Sequence, residues 1–166
     1  MCHPVYFLSL KVKSGHRAGV KKAQTCDIIG EVAKALVARS RDFIQWPEPG
    51  EMRLLANENN RDYGLPNVPL GVDGSLIKLA EKPSKGECPP NTIPDNFISR
   101  KGWPAINIQV VGDSRHCIRD CVVQWVGSTH DGRVWRNSRA KKLIERQAVY
   151  AIAADSAYPM SREEIQ

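Results

Sequence analysis

The sequence predicts a mixed α/β (α+β) fold in which two helices precede three antiparallel strands, a further helix and a buried strand. Three observations support this prediction. Apolar residues recur at helical spacing in the first part of the chain, apolar and polar residues alternate in its middle, and an unbroken apolar run follows a basic helical stretch. The length of 166 residues suits one domain with a hydrophobic core of its own.

The helices are expected in residues 24–66. Thr25 is a candidate N-cap, and the residues after it place Ile, Val and Leu side chains on one helix face. A second helix is predicted from Glu51 to Tyr63, because Gly64 supplies the left-handed residue that commonly ends a helix. Residues 1–23 lack this periodicity and are expected to form an irregular basic segment.

The three antiparallel strands are predicted at Leu70–Leu79, Ala105–Val111 and Cys117–Trp125. Four prolines in residues 80–96 indicate a loop between the first two strands. The second strand alternates isoleucine and valine with Asn107 and Gln109, a pattern typical of a half-buried strand with one apolar and one polar face.

After the third strand, the spacing of apolar residues changes from that of a strand to that of a helix. Residues Asp131 to Gln147 are predicted to form a helix, and Ala148–Ala154 is an unbroken apolar run. Such a run is typical of a strand that is buried on both faces, as a central parallel strand is. This order of elements is that of the first half of a ribonuclease-H-like core, which is one of several topologies compatible with the periodicity.

The charge of the chain favours an anionic partner. Its 24 lysine and arginine residues exceed its 18 aspartate and glutamate residues by 6. A first basic run, Lys11 to Lys22, is interpreted as a solvated surface. A second run, Arg133 to Arg146, follows Asp131 directly and leaves two interpretations open, a solvated face or a surface that neutralises phosphate groups.

Several classes of protein are excluded. No apolar run approaches the roughly 18–20 residues of a membrane span, and the first residues lack the charge order of a secretory signal. The expected compartment is the cytoplasm or the nucleus. The 5 cysteines include no C-x-x-C pair, so a disulfide framework is not expected. Cys117 and Cys121 are interpreted as buried thiols rather than as zinc ligands.

Three aspartates follow apolar stretches: Asp73, Asp131 and Asp155. If the fold gathers them at one edge of the sheet, their carboxylates could hold Mg²⁺, which binds few carboxylates and keeps positions for water and phosphate. Simpler interpretations exist for each of them. Asp73 precedes Gly74 and could be a turn residue, Asp131 could be an acid in the first turn of a helix, and Asp155 could end a strand for solubility.

Four blocks in fixed order carry a more specific indication. They are Gly71-Val-Asp-Gly-Ser-Leu-Ile, Ser99-Arg-Lys-Gly-Trp-Pro-Ala-Ile-Asn-Ile-Gln-Val-Val, Val122-Val-Gln-Trp-Val-Gly-Ser-Thr-His-Asp-Gly-Arg-Val-Trp-Arg-Asn-Ser and Ala154-Asp-Ser-Ala-Tyr-Pro. These blocks resemble G-A-I-D-G-T-H-I, N-R-K-G-Y-x-S-I-N-V-Q-x-V, V-x-R-W-P-G-S-x-H-D-S-R-x-F-x-x-S and G-D-S-G-Y-P, in the same order. Those motifs belong to the DDE superfamily endonuclease domain of Harbinger-type transposases and of the Harbinger transposase-derived nucleases of animals.

The resemblance implies a ribonuclease-H-like fold and a metal-dependent nuclease that hydrolyses phosphodiester bonds in DNA. Asp73, Asp131 and Asp155 match acids that the family uses, or is inferred to use, for Mg²⁺ or Mn²⁺. The basic residues expected near phosphate groups are Arg100, Lys101, Arg133 and Arg136. The partners implied are DNA and a separate DNA-binding protein, and no membrane.

The chain also departs from the family pattern. The acid set of the family closes with a glutamate well beyond the fourth block, and this sequence has no counterpart. Ser161 and Glu164 are better interpreted as a capping box than as a replacement. We therefore expect residues 67–166 to form a truncated nuclease domain that lacks its C-terminal part, after a helical region at 24–66. Whether it is an enzyme stays open, and the alternative is a non-catalytic domesticated derivative that binds DNA or protein and retains divalent metal binding.

Overall fold

A computed structural model describes Gly19 and residues 21–158 of the chain. Most of the basic segment at 1–23, the Ser161–Glu164 pattern and Cys2 lie outside the described residues. The elements in chain order are α1 (Lys22–Ala38), α2 (Ser40–Phe43), α3 (Pro49–Tyr63), β1 (Leu70–Lys78), β2 (Ala105–Asp113), β3 (Ile118–Val126), α4 (Asp131–Arg136), α5 (Arg139–Glu145) and β4 (Ile152–Ala154).

The first helices start earlier than the sequence suggested. The Thr25 hydroxyl donates to the Lys21 carbonyl at 3.2 Å, as a residue inside the helix does, so α1 begins at Lys22 and Thr25 is not its N-cap. Helix α3 begins at Pro49 because proline fits the first helical position, where its missing N–H is not needed. Gly64 ends α3 in the left-handed conformation with φ 69°, as predicted.

The sheet has the strand order β3-β2-β1-β4. Strands β1 and β2 pair antiparallel from Leu70↔Asp113 to Lys78↔Ala105, and β2 pairs antiparallel with β3, so the three-strand meander is confirmed. Strand β4 pairs with β1 in parallel, also as expected. In the described part of the chain, however, β4 lies at the sheet edge, and the prediction of a central strand is wrong there.

Two predicted elements have different bounds in the structure. The helix predicted from residue 131 to 147 is two helices, because Ser138 breaks the first and caps the second by accepting from the Lys141 N–H at 3.1 Å. The last strand begins at Ile152 and not at Ala148. The preceding residues form a turn, in which the Tyr150 N–H donates to the Gln147 carbonyl at 2.9 Å.

The buried face of β2 is its polar one. Asn107 and Gln109 are 2% and 1% exposed, whereas the isoleucine and valine side chains between them are half-buried. The face that carries the amides also carries Val111 and, across the ladder, Val72, and both valines belong to the hydrophobic core. Hydrophobicity alone would bury the other face, so the two amides occupy positions that need a separate explanation.

The core lies on this one face of the sheet. Helix α3 contributes Met52 and Leu55, and the helices after β3 contribute Trp135 and Ile144. The alternation of β3 is interrupted by register shifts against β2, so its two faces do not separate as the simple period predicted. Cys117 is exposed in the turn before β3, which corrects its interpretation as a buried thiol. No helix in residues 21–158 is long and apolar enough to cross a bilayer.

Candidate metal and nucleic-acid site

Asp73 lies inside strand β1 and not in a turn. It pairs with Val110 of β2 in the middle of an unbroken ladder, and its side chain is exposed. Its Oδ1 accepts a hydrogen bond from the Gly74 N–H at 2.7 Å. The interpretation of Asp73-Gly74 as a turn is therefore wrong, and the glycine must have another reason to be there.

Gly74 leaves room for the carboxylate of Asp131. A Cβ atom at this position would lie 2.7 Å from Asp131 Oδ1 and 2.9 Å from its Cγ, closer than real Cβ contacts come. The φ angle of Gly74 is not in the left-handed region, so the glycine is needed for close approach and not for backbone conformation. The absent side chain allows the acid of α4 to lie directly against the strand that carries Asp73.

Asp131 is the first residue of α4. His130 is the N-cap, and its Nδ1 accepts from the Gly132 N–H at 3.3 Å. A carboxylate in the first turn is favoured by the positive end of the helix dipole. The interpretation as a first-turn acid and the interpretation as a site residue are therefore both compatible with its position.

Asn107, on strand β2, is hydrogen-bonded to the Asp131 carboxylate. Its Nδ2 donates to Asp131 Oδ1 at 2.8 Å and to the Thr129 carbonyl at 3.0 Å. Sequence reasoning missed this residue, although a polar side chain within an apolar strand pattern was visible. The two hydrogen bonds explain how the Asn107 amide can be buried on this face of β2.

Asp155 leaves the sheet beside Asp73. The last parallel pair between β1 and β4 is Val72↔Ala154, and the two aspartates are the next residue on each strand. Asp155 begins a turn in which its Oδ1 accepts from the Ala157 N–H at 2.9 Å and its carbonyl accepts from the Tyr158 N–H at 3.2 Å. This turn brings Tyr158 back over the sheet.

Tyr158 lies beside one of the three acids. Its hydroxyl lies 3.3 Å from the position of a Gly74 Cβ, next to Asp131. Burial raises the pKa of the phenol, and the negative charges of Asp131, Asp73 and Asp155 raise it further, well above its usual range. The buried Tyr158 hydroxyl thus lies beside Asp131, and sequence reasoning did not single it out.

A cleft of about 160 Å³ opens beside Asp131. It contains two of the four predicted basic residues, Arg100 and Lys101, both exposed. The other residues that line it are Gly74, Ser75, Leu76, Asn107, Gly127, Ser128, Thr129, His130 and Asp131.

The loop that carries Arg100 and Lys101 is held by its own hydrogen bonds. Both the N–H and the hydroxyl of Ser99 donate to the Trp103 carbonyl, at 3.0 Å and 2.9 Å. Gly102 takes a φ of 80°, a conformation that favours glycine. The two cationic side chains therefore project from a tight, closed loop at one wall of the cleft.

Arg133 and Arg136 lie elsewhere. The Arg133 guanidinium stands over the Trp125 ring at 5.9 Å from its centroid, and Arg136 is exposed at the end of α4. Neither is among the residues that line the cleft in the described part of the chain. The predicted phosphate-binding set is therefore divided between the cleft and an outer basic surface.

Comparison with known proteins identifies the family. Residues 72–165 match the family described as DDE superfamily endonuclease, which is more than half of the chain. The chain belongs to this family. The resemblance stated from the four sequence blocks is thereby confirmed, and the mixed four-stranded sheet is compatible with an α+β nuclease domain.

Relatives of the chain carry the name "Putative nuclease HARBI1". The rat protein (Rattus norvegicus) is 28% identical over 139 residues, the mouse protein (Mus musculus) 30% over 138 and the human protein (Homo sapiens) 29% over 140. Each alignment covers 82% of this chain and 37% of the relative, so the chain spans less than half the length of these proteins. No solved structure matches the chain.

DDE superfamily endonucleases generally use divalent metals, and the residues here suit such an ion in their chemistry. Carboxylate oxygens are the ligands that Mg²⁺ prefers, and the space above Gly74 brings Asp131 to the strand of Asp73. Within residues 21–158, however, no three His, Cys, Asp or Glu side chains are gathered closely enough to form a metal site as they stand.

Proposed function

We propose that this chain is a transposase-derived nuclease domain with a ribonuclease-H-like core, in which Asp73, Asp131 and Asp155 bind Mg²⁺ or Mn²⁺ for the hydrolysis of phosphodiester bonds in DNA. The observation that carries the proposal is the contact of the Asp131 carboxylate with Gly74, next to Asp73. A side chain at Gly74 would displace the Asp131 carboxylate from the strand that carries Asp73.

The cleft supports DNA as the substrate. A phosphodiester is anionic, and the carboxylates alone would repel it. Arg100 and Lys101 lie in the same cleft as Asp131 and supply positive charge at its wall. A divalent cation held by the acids would add Lewis-acid stabilisation of the phosphoryl oxygens. The side chains of the protein would then fix the phosphate between the cationic loop and the acids.

The outer basic surface extends the proposed DNA contact. Arg133 and Arg136 lie on α4, the helix that begins with Asp131, so DNA whose scissile phosphate is at the cleft passes near them. Contacts of this kind position the duplex without reading its sequence. We propose the nucleus as its compartment on this account. The helical region at 24–66, whose α3 shares the core of the sheet, is proposed as the contact for a DNA-binding protein partner.

A second candidate function is a non-catalytic derivative that binds DNA or protein and retains weak metal binding. One observation favours it. The acids in residues 21–158 are not gathered into a ready site of three ligands. Glu163 and Glu164, which could supply a further acid, lie outside the described residues. On this view hydrolysis is impaired while the cleft still binds.

Nicking of supercoiled plasmid DNA distinguishes the two functions. The purified chain is expected to nick DNA with Mg²⁺ or Mn²⁺ and to stop when a chelator is added. Asp73→Asn and Asp131→Asn should abolish nicking, whereas Asp95→Asn, at an exposed acid that pairs with Lys82, should not. Nicking that persists in Asp131→Asn contradicts the proposed site. DNA binding that falls with salt but is accompanied by no nicking supports the second function.

A further inference from the structure

Asn107 is an anchored donor to the Asp131 carboxylate. Its side chain is 2% exposed, and the same nitrogen also donates to the Thr129 carbonyl. Thr129 precedes α4, so this second bond ties the amide to the segment that delivers Asp131. The amide therefore has little freedom to rotate away, and it constrains the direction in which Asp131 Oδ1 points.

Tyr158 bounds the same carboxylate from another side. Its ring packs edge-to-face on Trp135, with centroids 6.3 Å apart, and its hydroxyl is directed to the space above Gly74 where Asp131 Oδ1 lies. The hydroxyl is buried without a hydrogen-bond partner in the described residues. A buried donor without a partner is costly. The hydroxyl is therefore a donor beside Asp131 Oδ1 that no described protein group uses.

We propose that Asn107 and Tyr158 are positioning residues that together orient the Asp131 carboxylate toward a divalent cation. The inference rests on the proposed metal site. A carboxylate has about four lone-pair positions, so the hydrogen bond from the Asn107 amide leaves others for an ion. The unpaired Tyr158 hydroxyl beside Asp131 is available as a second donor. Groups that orient a metal ligand in this way typically change metal affinity about 10–100-fold when they are removed.

The first test compares metal affinity with stability in the full chain. Asn107→Ala is expected to weaken Mn²⁺ binding, measured by calorimetry, by about 10-fold or more, and Tyr158→Phe by a smaller, measurable factor. Two matched controls exist. Asn59 is also a buried asparagine and donates to the Val68 carbonyl at 2.6 Å, and Tyr150 also packs against the core. Asn59→Ala and Tyr150→Phe should leave Mn²⁺ affinity unchanged.

A purely structural role gives a different result. Asn107→Ala would then lower the melting temperature of the metal-free protein about as much as Asn59→Ala does, with no change in the Mn²⁺ dissociation constant. That result overturns the inference for Asn107. If Asn107→Ala does not fold, the inference is tested with Tyr158→Phe. This variant removes a single buried oxygen and leaves the ring contact with Trp135 in place.

A second, metal-free measurement separates this inference from the proposed function. Carbon-13 NMR of the aspartate carboxyls is expected to show the Asp131 resonance displaced in Asn107→Ala and in Tyr158→Phe, but unchanged in Asn59→Ala and in Tyr150→Phe. If the wild-type chain binds no Mn²⁺, the proposed function fails. The displacement of the Asp131 resonance can still be measured, and it reports whether Asn107 and Tyr158 position the carboxylate. An Asp131 resonance that does not move in a folded variant overturns the role of the residue replaced.

Discussion

Replacing Gly74 with alanine tests whether Asp131 must lie against β1. The added methyl group would meet Asp131 Oδ1 at 2.7 Å and Cγ at 2.9 Å. The carboxylate would have to move by roughly half an ångström or more, which strains its 2.8 Å hydrogen bond with Asn107. Overpacking of this kind costs about 1–3 kcal/mol. Alanine also reduces the freedom of the unfolded chain, which offsets part of the loss by about 0.4–1 kcal/mol.

The balance predicts a destabilisation of about 1–2 kcal/mol, or a melting temperature lower by about 2–8 °C, together with weaker Mn²⁺ binding. Gly71→Ala is the matched control on the same strand. Its Cβ would meet only the Ala153 carbonyl oxygen at 3.8 Å, an ordinary contact, so no loss is expected. Thermal unfolding and Mn²⁺ calorimetry of both variants measure the difference. Equal stability and equal Mn²⁺ affinity of the two variants would refute the argument from close approach.

Three further predictions concern other parts of the molecule. Gly127→Ala should cost about 3 kcal/mol in unfolding free energy, because its Cβ would lie 2.6 Å and 2.8 Å from two main-chain carbonyl oxygens that cannot move cheaply. Burial alone would raise the pKa of Asp113, but hydrogen bonds from main-chain N–H groups and from Arg119 lower it overall. The stability that Asp113 contributes is therefore present above its unfolded pKa and lost as pH falls through the lower folded pKa, so acid melts below about pH 4 should show a smaller pH dependence in Asp113→Asn. Arg100→Ala and Lys101→Ala should each reduce the slope of log K for DNA binding against log salt by about 1, measured by fluorescence anisotropy, and an unchanged slope would remove them from the DNA contact.

The order of the elements could be predicted because it depends on local patterns. The antiparallel strands and the parallel final strand each left a periodicity or an apolar run that short-range physics explains. Their bounds were less predictable. Ser138 divides the predicted long helix by capping α5, and the position of β4 at the sheet edge depends on which strands pair with it. Pairing between distant strands is not encoded in the period of either one.

The same distinction applies to the site, where some residues could be predicted from the sequence and others could not. The three acids could be identified because family motifs preserve residue type and spacing, but Asn107 and Tyr158 carried no comparable indication. Asn107 was assigned to the polar face of a half-buried strand, which hydrophobicity directs to solvent. It is buried because Asp131, 24 residues further on, accepts its hydrogen bond at 2.8 Å. A buried amide is acceptable only when such a partner is supplied, and the partner comes from another element.

The sequence by itself determined the family, the order of helices and strands, and which acids and bases are available. Those properties are written in residue types and in spacings along the chain. Only the tertiary structure decided that Gly74 makes room for Asp131, that the Tyr158 hydroxyl lies beside it, and that Arg100 and Lys101 share the cleft while Arg133 and Arg136 do not. The physical reason is that these relations are distances across paired strands, which are set by the register of β1 against β2 and β4.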